Sequence, residues 1–234
     1  MFHARIQHFD RLAYSDGQVS YAWPAFPPAQ PNTAQARRLK RVLDVTAASL
    51  LLALCGWLML AIAALIRLTS GGPALFAQER IGLHGKPFRM LKFRTMRGAA
   101  DPPGQCRQAT RNDPRVTPLG ALLRRTSMDE LPQLLNVLAG TMSIVGPRPH
   151  APGTCAAGRP FEAISHRYAA RHRVKPGMTG LAQVRGWRGQ TDTEDKLLHR
   201  LDSDLEYIAT WSLLGDLLIM IRTVPALLCM RNAW

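Results

Sequence analysis

Residues 45 to 66 read VTAASLLLALCGWLMLAIAALI and carry no charged side chain. As a helix this run rises about 33 Å, enough to span the hydrocarbon of a bilayer. It is apolar on every side, which argues against one face resting on a soluble core. The flanks bear on crossing versus dipping. Arg37, Arg38, Lys40 and Arg41 precede the run, and Arg67, Arg80, Lys86, Arg89, Lys92, Arg94 and Arg97 follow it. Cationic flanks favour the cytoplasmic side. A straight crossing would put one of them outside, whereas a segment that enters and returns keeps both inside. Each arm of such a hairpin rises about 15 Å. A break is then needed near the middle, and Cys55-Gly56 sits there, glycine being a weak point in a helix. Asp44, at the polar edge, is within reach of Lys40 or Arg41.

The remaining composition is that of one basic, apolar-rich domain of 234 residues. Lys and Arg number 30 against 16 Asp and Glu, and 18 basic against 6 acidic residues fall in the first 125. Such a surplus suits a polyanion: nucleic acid, anionic lipid or a phosphorylated ligand. Cys55, Cys106, Cys155 and Cys229 lie far apart, so neither a zinc site nor a disulfide framework is suggested, and a reducing cytoplasm fits. The first 33 residues lack the apolar core of a signal peptide. Pro24, Pro27, Pro28 and Pro31 disfavour regular structure, and 1–35 reads as a mobile arm. A second apolar stretch, Trp211 to Met230, is interrupted by Asp216, Arg222 and Pro225; it reads either as an interfacial helix or as a core helix.

Between the apolar regions lies the chemistry. Strand-like pieces surround Pro73–Phe76 and Phe88–Phe93. Helical spacing appears over Leu119–Arg125, Leu131–Leu138 and Thr193–Ile208, and Gly98–Asp113 reads as an exposed loop. Residues 124 to 140 read RRTSMDELPQLLNVLAG. Ser127 and Glu130 have the spacing of a capping box, which would start a helix at Ser127. Pro132 favours a start at Asp129 instead. Either way Asp129 and Glu130 stand at a helix N-terminus, among Arg124, Lys92 and Arg94 of KFRTM, and Arg148 of VGPRPH. Pro147 and Pro149 restrict the backbone around Arg148, and arginine binds phosphate through its planar fork. Two acids ringed by cations suit a diphosphate with a metal ion.

These motifs, with KRVLD at 40–44, QERIG at 78–82 and KPGMTGLAQVRG at 175–186, resemble the bacterial sugar transferase family, the monotopic phosphoglycosyl transferases, over about residues 38–226. The resemblance implies a mainly α fold with a few short strands: a re-entrant (or spanning) membrane helix at 36–69, interfacial helices, and a small cytoplasmic sugar transferase domain within 70–234. It implies that Asp129 attacks the β-phosphate of a UDP-sugar and releases UMP, that polyprenyl phosphate collects the phosphosugar, and that Glu130 is a Mg²⁺ ligand. Lys92, Arg94, Arg124 and Arg148 match cationic positions around the phosphates. The implied home is the bacterial inner membrane, with membrane lipids as partners and no nucleic acid. The sequence leaves room for a homodimer.

Residues 171–211 are similar to the glucose 1-phosphate transferases that initiate exopolysaccharides. This makes Gln183, Arg185 and Arg188 candidates for nucleotide or sugar contacts, with galactose or an N-acetylated sugar as the alternative donor. Asp192, Glu194, Asp195, Asp202, Asp204 and Glu206 read as a solvated helix face paired with Lys196 and Arg200. The chain departs from the family in three places. Cys55-Gly56 replaces a Ser-Pro helix break, Met128 replaces a Leu, and the multi-pass region that generally precedes the domain in glucose-type members is not among the 234 residues. A silent membrane scaffold is the reading from another class; a basic nucleic-acid binder is a third, and predicts salt-sensitive DNA affinity.

Overall fold

A computed structural model describes residues 33–97 and 113–228. Most of the expected arm (1–32), the loop interior (98–112), Cys106 and Cys229 lie outside them. The helices are α1 (Ala34–Ser70), α2 (Pro118–Thr126), α3 (Gln133–Ala139), α4 (Phe161–Ile164), α5 (Leu181–Val184), α6 (Glu194–Thr210) and α7 (Leu213–Leu228). The strands are β1 (Leu75–Ile81), β2 (Pro87–Phe93), β3 (Ser143–Val145), β4 (Cys155–Ala156), β5 (Arg159–Pro160) and β6 (Gly177–Thr179). The expected mainly helical fold with short strands is what the chain forms. β1 and β2 make an antiparallel hairpin with Leu75 opposite Phe93, β3 pairs in parallel with β6, and β4 with β5.

Thr33 caps α1 by accepting from Ala36 N. The helix then runs 37 residues, a rise of about 55 Å. It is long and apolar enough to cross a membrane, and only 11% of its most apolar window is buried, so it is no core helix. Leu50, Leu54, Trp57, Leu60 and Leu68 are exposed. The break expected at Cys55-Gly56 is absent, because α1 is helical through both residues. Glycine costs a helix only about 1 kcal/mol relative to alanine, and no proline removes a backbone donor here.

Both ends of α1 rest on the same domain. Near its start, Lys40 bonds Asp44 (3.1 Å), Asp216 of α7 (2.9 Å) and the Val145 carbonyl (3.1 Å). Asp44 also accepts from Ser143 Oγ and Ile144 N of β3. Arg41, the other partner foreseen for Asp44, instead donates to the Val137 and Leu138 carbonyls at the end of α3. Towards its other end, Ile62 and Ile66 are buried against Phe93 and Leu123. α7 is two-sided. Asp216 and Ile219 are buried, with Asp216 accepting from Tyr207 Oη and Trp211 Nε1, while Leu214, Leu217, Leu218, Ile221 and Val224 are exposed. The core reading thus describes one face of this stretch, and the other face is apolar and exposed.

Candidate active site

α2 begins where Thr117 accepts from Gly120 N and Pro118 fills the first turn. Its end differs from expectation. Ser127 closes α2 at φ 60°, in the left-handed region, and its side chain caps nothing, so no capping box forms. A 3-10 turn, Met128–Glu130, follows, and α3 starts only after Pro132. Glu130 N and Leu131 N bond back to the Ser127 and Met128 carbonyls. The two acids therefore sit in the sharp turn between two helices rather than in the first turn of one.

β2 delivers Lys92. Asn136 of α3 accepts from Leu91 N (2.9 Å) and donates to the Arg89 carbonyl (2.8 Å), which staples α3 to the strand beside Lys92. Arg148 arrives from the loop after β3. That loop passes KPGMTG at backbone contact distance: a Cβ on Gly177 would lie 2.1 Å from Gly146 N, and one on Gly146 would lie 2.6 Å from the Lys175 carbonyl. Only glycine fits at either place.

The two acids are held in opposite ways. Glu130 Oε1 accepts from Lys92 Nζ (3.0 Å) and from Arg148 Nη2, and Oε2 accepts from Arg148 Nη1 (3.0 Å). Burial alone would raise this carboxyl, but Arg148 and Lys92 outweigh it and hold Glu130 well below the usual carboxylate range. Asp129 is buried, and among the described residues nothing hydrogen-bonds its carboxylate. Burial pushes it up and Glu130 adds to that, while Lys92, Arg124 and Arg148 pull the other way without cancelling the rise. Of the two acids, Asp129 is thus the one whose oxygens are open to a further partner.

Of the other expected residues, Arg124 joins the site through its field on Asp129, with Nε donating to Thr95 Oγ1 at 2.8 Å. Arg188 joins it too. The turn carrying it places its guanidinium on Ser127 Oγ, the residue two before Asp129. Arg94 turns to the Met96 carbonyl. Gln183 donates to the Met178 carbonyl, and Arg185 pairs with Glu206 on the exposed face of α6. None of these last three is brought to the dyad.

The acidic stripe of α6 is only partly solvated. Asp192 and Lys196 pair in solvent, but Asp204 is buried on Arg171, and Arg200 is buried as well. Sequence reading missed Arg171, Asp204, Asn136 and the Lys40–Asp216 pair. The only signal was periodicity, which puts Asp204 in line with Leu197 and Leu201 on the inner face of α6.

Among the described residues no group of three or more His, Cys, Asp and Glu could enclose a metal ion. The dyad offers a cation the open carboxylate of Asp129 and the second lone pair of Glu130 Oε2, since Oε1 already accepts from Lys92 and Arg148. Mg²⁺ commonly takes one or two carboxylates plus substrate phosphates and water, so these residues fit an ion that arrives with a diphosphate.

The chain matches the family described as bacterial sugar transferase over residues 35–230. It is 55% identical over 195 residues to a UDP-glucose:undecaprenyl-phosphate glucose-1-phosphate transferase of Caulobacter vibrioides, covering 83% of this chain and 72% of that protein. It is 48% identical over 194 residues to a protein of the same name from Escherichia coli, covering 83% of this chain and 41% of that one. An exopolysaccharide production protein of Rhizobium leguminosarum is 48% identical over 187 residues, covering 80% and 93%. The chain thus spans about two-fifths of the Escherichia coli relative and most of the other two.

Proposed function

The chain belongs to the bacterial sugar transferase family, and from that premise we propose that it transfers glucose 1-phosphate from UDP-glucose to undecaprenyl phosphate, releasing UMP, as the first membrane step of exopolysaccharide synthesis. The observation that carries the mechanism is the unequal dyad: Glu130 bound on both oxygens, Asp129 bound on neither. A carboxylate oxygen of Asp129 attacks the β-phosphorus of the donor. The bond from that phosphorus to the bridging oxygen breaks, and the electron pair leaves with UMP. The phosphosugar is now an acyl phosphate on Asp129. An oxygen of the polyprenyl phosphate attacks the same phosphorus, and the Asp129 carboxylate departs, leaving a polyprenyl diphosphate sugar. Splitting one difficult displacement into two is what a carboxylate nucleophile offers.

Lys92, Arg124 and Arg148 supply positive charge where the diphosphate must lie, and Arg188 borders the same space. Glu130, with Asp129 beside it, is the residue to hold Mg²⁺, which when bound would neutralise charge on the diphosphate. The acceptor is a lipid, so the site must stand at the bilayer surface. Support for this comes from α1. Asp44 and Ile66 are about 33 Å apart along the helix, close to the hydrocarbon thickness, yet each packs on the same domain. A perpendicular crossing would separate those partners by the whole membrane. We read α1 as a helix that stays on one leaflet, its exposed leucines in lipid and its basic flanks at the cytoplasmic face of the inner membrane.

The test is UMP release by purified protein in detergent with Mg²⁺, undecaprenyl phosphate and UDP-glucose, UDP-galactose or UDP-N-acetylglucosamine. Release with UDP-glucose well above the others supports the assignment. Release only with another donor moves the sugar and leaves the chemistry. No release with any donor favours a scaffold.

A further inference from the structure

The loop that presents Arg148 cannot hold itself. Pro147 and Pro149 have no N–H to give, so the segment cannot join a strand ladder. Each of its carbonyls is nonetheless engaged from outside. Pro147 O accepts from Gly177 N (2.9 Å), Arg148 O from Arg171 Nη2 (2.7 Å), Pro149 O from Arg80 Nη1 (3.3 Å) and His150 O from Ile81 N (3.0 Å). The donor on Arg148 itself is a guanidinium only 2% exposed. Its Nε and Nη2 donate to Asp204 Oδ2 (3.1 and 2.6 Å), and its Nη1 lies 2.6 Å from His150 Nδ1 and 3.3 Å from Tyr168 Oη. Arg171 thus grips the chain on both sides of Pro149. Burial first, then the charge of Arg171, pushes His150 well below its usual range, so the ring is neutral.

A buried Arg–Asp pair is weak evidence for stability, since well-packed apolar residues often serve as well or better. Its use here is geometric. We propose that Arg171, itself fixed by Asp204, is the positioning residue that aims Arg148 at Glu130. The inference rests on the reading of the dyad given above. With Arg171 absent, the Arg148 carbonyl loses its donor, the loop loosens, and the fork no longer meets Glu130 squarely.

The experiment compares Arg171→Met/Asp204→Leu, which removes this buried ion pair and leaves Arg200 beside it, with Arg171→Lys and Asp129→Asn, by UMP release, thermal melting and the separate effects on kcat and on KM for UDP-glucose. Per folded molecule the double variant should lose at least about tenfold in kcat, or 1.4 kcal/mol, with KM changed much less, and part of kcat should return in Arg171→Lys.

A purely structural role predicts unchanged kcat and KM per folded molecule, and that result overturns the proposal. Should the double variant not fold, Arg171→Lys decides. Lysine keeps a charge for Asp204 but lacks the fork that reaches Arg148 at the same time. A folded Arg171→Lys with lowered kcat and near-parental KM supports the proposal; parental values of both overturn it. Turnover by Asp129→Asn would instead sink the reading of the dyad, whatever Arg171 does.

Discussion

Replacing Arg148 by alanine separates its structural work from its chemical work. Arg148 gives Glu130 two hydrogen bonds, one to each oxygen. A hydrogen bond to a charged group contributes about 1.5–3 kcal/mol, and breaking a fully buried ion pair costs about 3–5 kcal/mol. The pair is not fully buried: 27% of the Arg148 side chain and 15% of Glu130 are exposed, and Lys92 remains on Oε1. Solvent and Lys92 offset part of the loss, so about 2–3 kcal/mol is expected. For a chain of this size that lowers the melting temperature by about 4–12 °C. If the same guanidinium also meets the diphosphate in the transition state, kcat falls by about 10²–10³, as for other preorganised donors. Arg148→Lys should recover part of the stability but little of the rate, because an ammonium cannot make the two parallel bonds. Melting followed in detergent, with UMP release on the same samples, reads both. Should Arg148→Ala melt lower yet turn over within about threefold of the parent, less than 1 kcal/mol, the residue only braces Glu130 and the reasoning fails.

Three further outcomes are expected. Glu130→Gln removes the negative neighbour that, after burial, helps hold Asp129 up; its rate and Mg²⁺ dependence should weaken while the acid limb moves to lower pH, and a limb that stays put or rises would contradict this. Asp129→Asn should be inactive and melt higher than the parent at neutral pH. The raised pKa means the fold disfavours the charged form, a cost present above the unfolded value of about 3.9 and relieved as pH falls, so the gain should vanish in acid. Gln35→Cys and Thr69→Cys, each in a background without native cysteines, should react with an impermeant reagent from the same face of the membrane; opposite faces would mean that α1 crosses.

The fold was legible where local chemistry and tertiary demand agree. The helical spacings over Leu119–Arg125 and Thr193–Ile208 became α2 and α6, which the structure shows capped by Thr117 and Thr193, and β2 runs from Pro87 to Phe93, beside the expected Phe88–Phe93. Asp129 and Glu130 do lie among Lys92, Arg124 and Arg148, as expected, but their local structure differs from the expected helix N-terminus. Ser127 has the spacing of an N-cap, yet the chain must turn sharply between two helices there, and its hydroxyl serves Arg188 instead. Asp204 looked like one more acid on a wet helix because its partner, Arg171, lies 33 residues away in sequence. Lys40 and Asp216 are further apart still, and they meet only where α7 lies beside the start of α1. Pro147 and Pro149 signalled a restricted backbone around Arg148, but not that VGPRP and KPGMTG press against each other.

Asp129 as the site of a covalent bond to phosphorus is the claim everything else serves. Purified protein mixed with UDP-glucose labelled in the β-phosphate, without acceptor, should be quenched in acid, digested and mapped. The account predicts label on the peptide that contains Asp129, release of an equal amount of UMP, and loss of the label when undecaprenyl phosphate is added. UMP released only together with acceptor, with no labelled peptide at any time, would mean a direct transfer and contradict it.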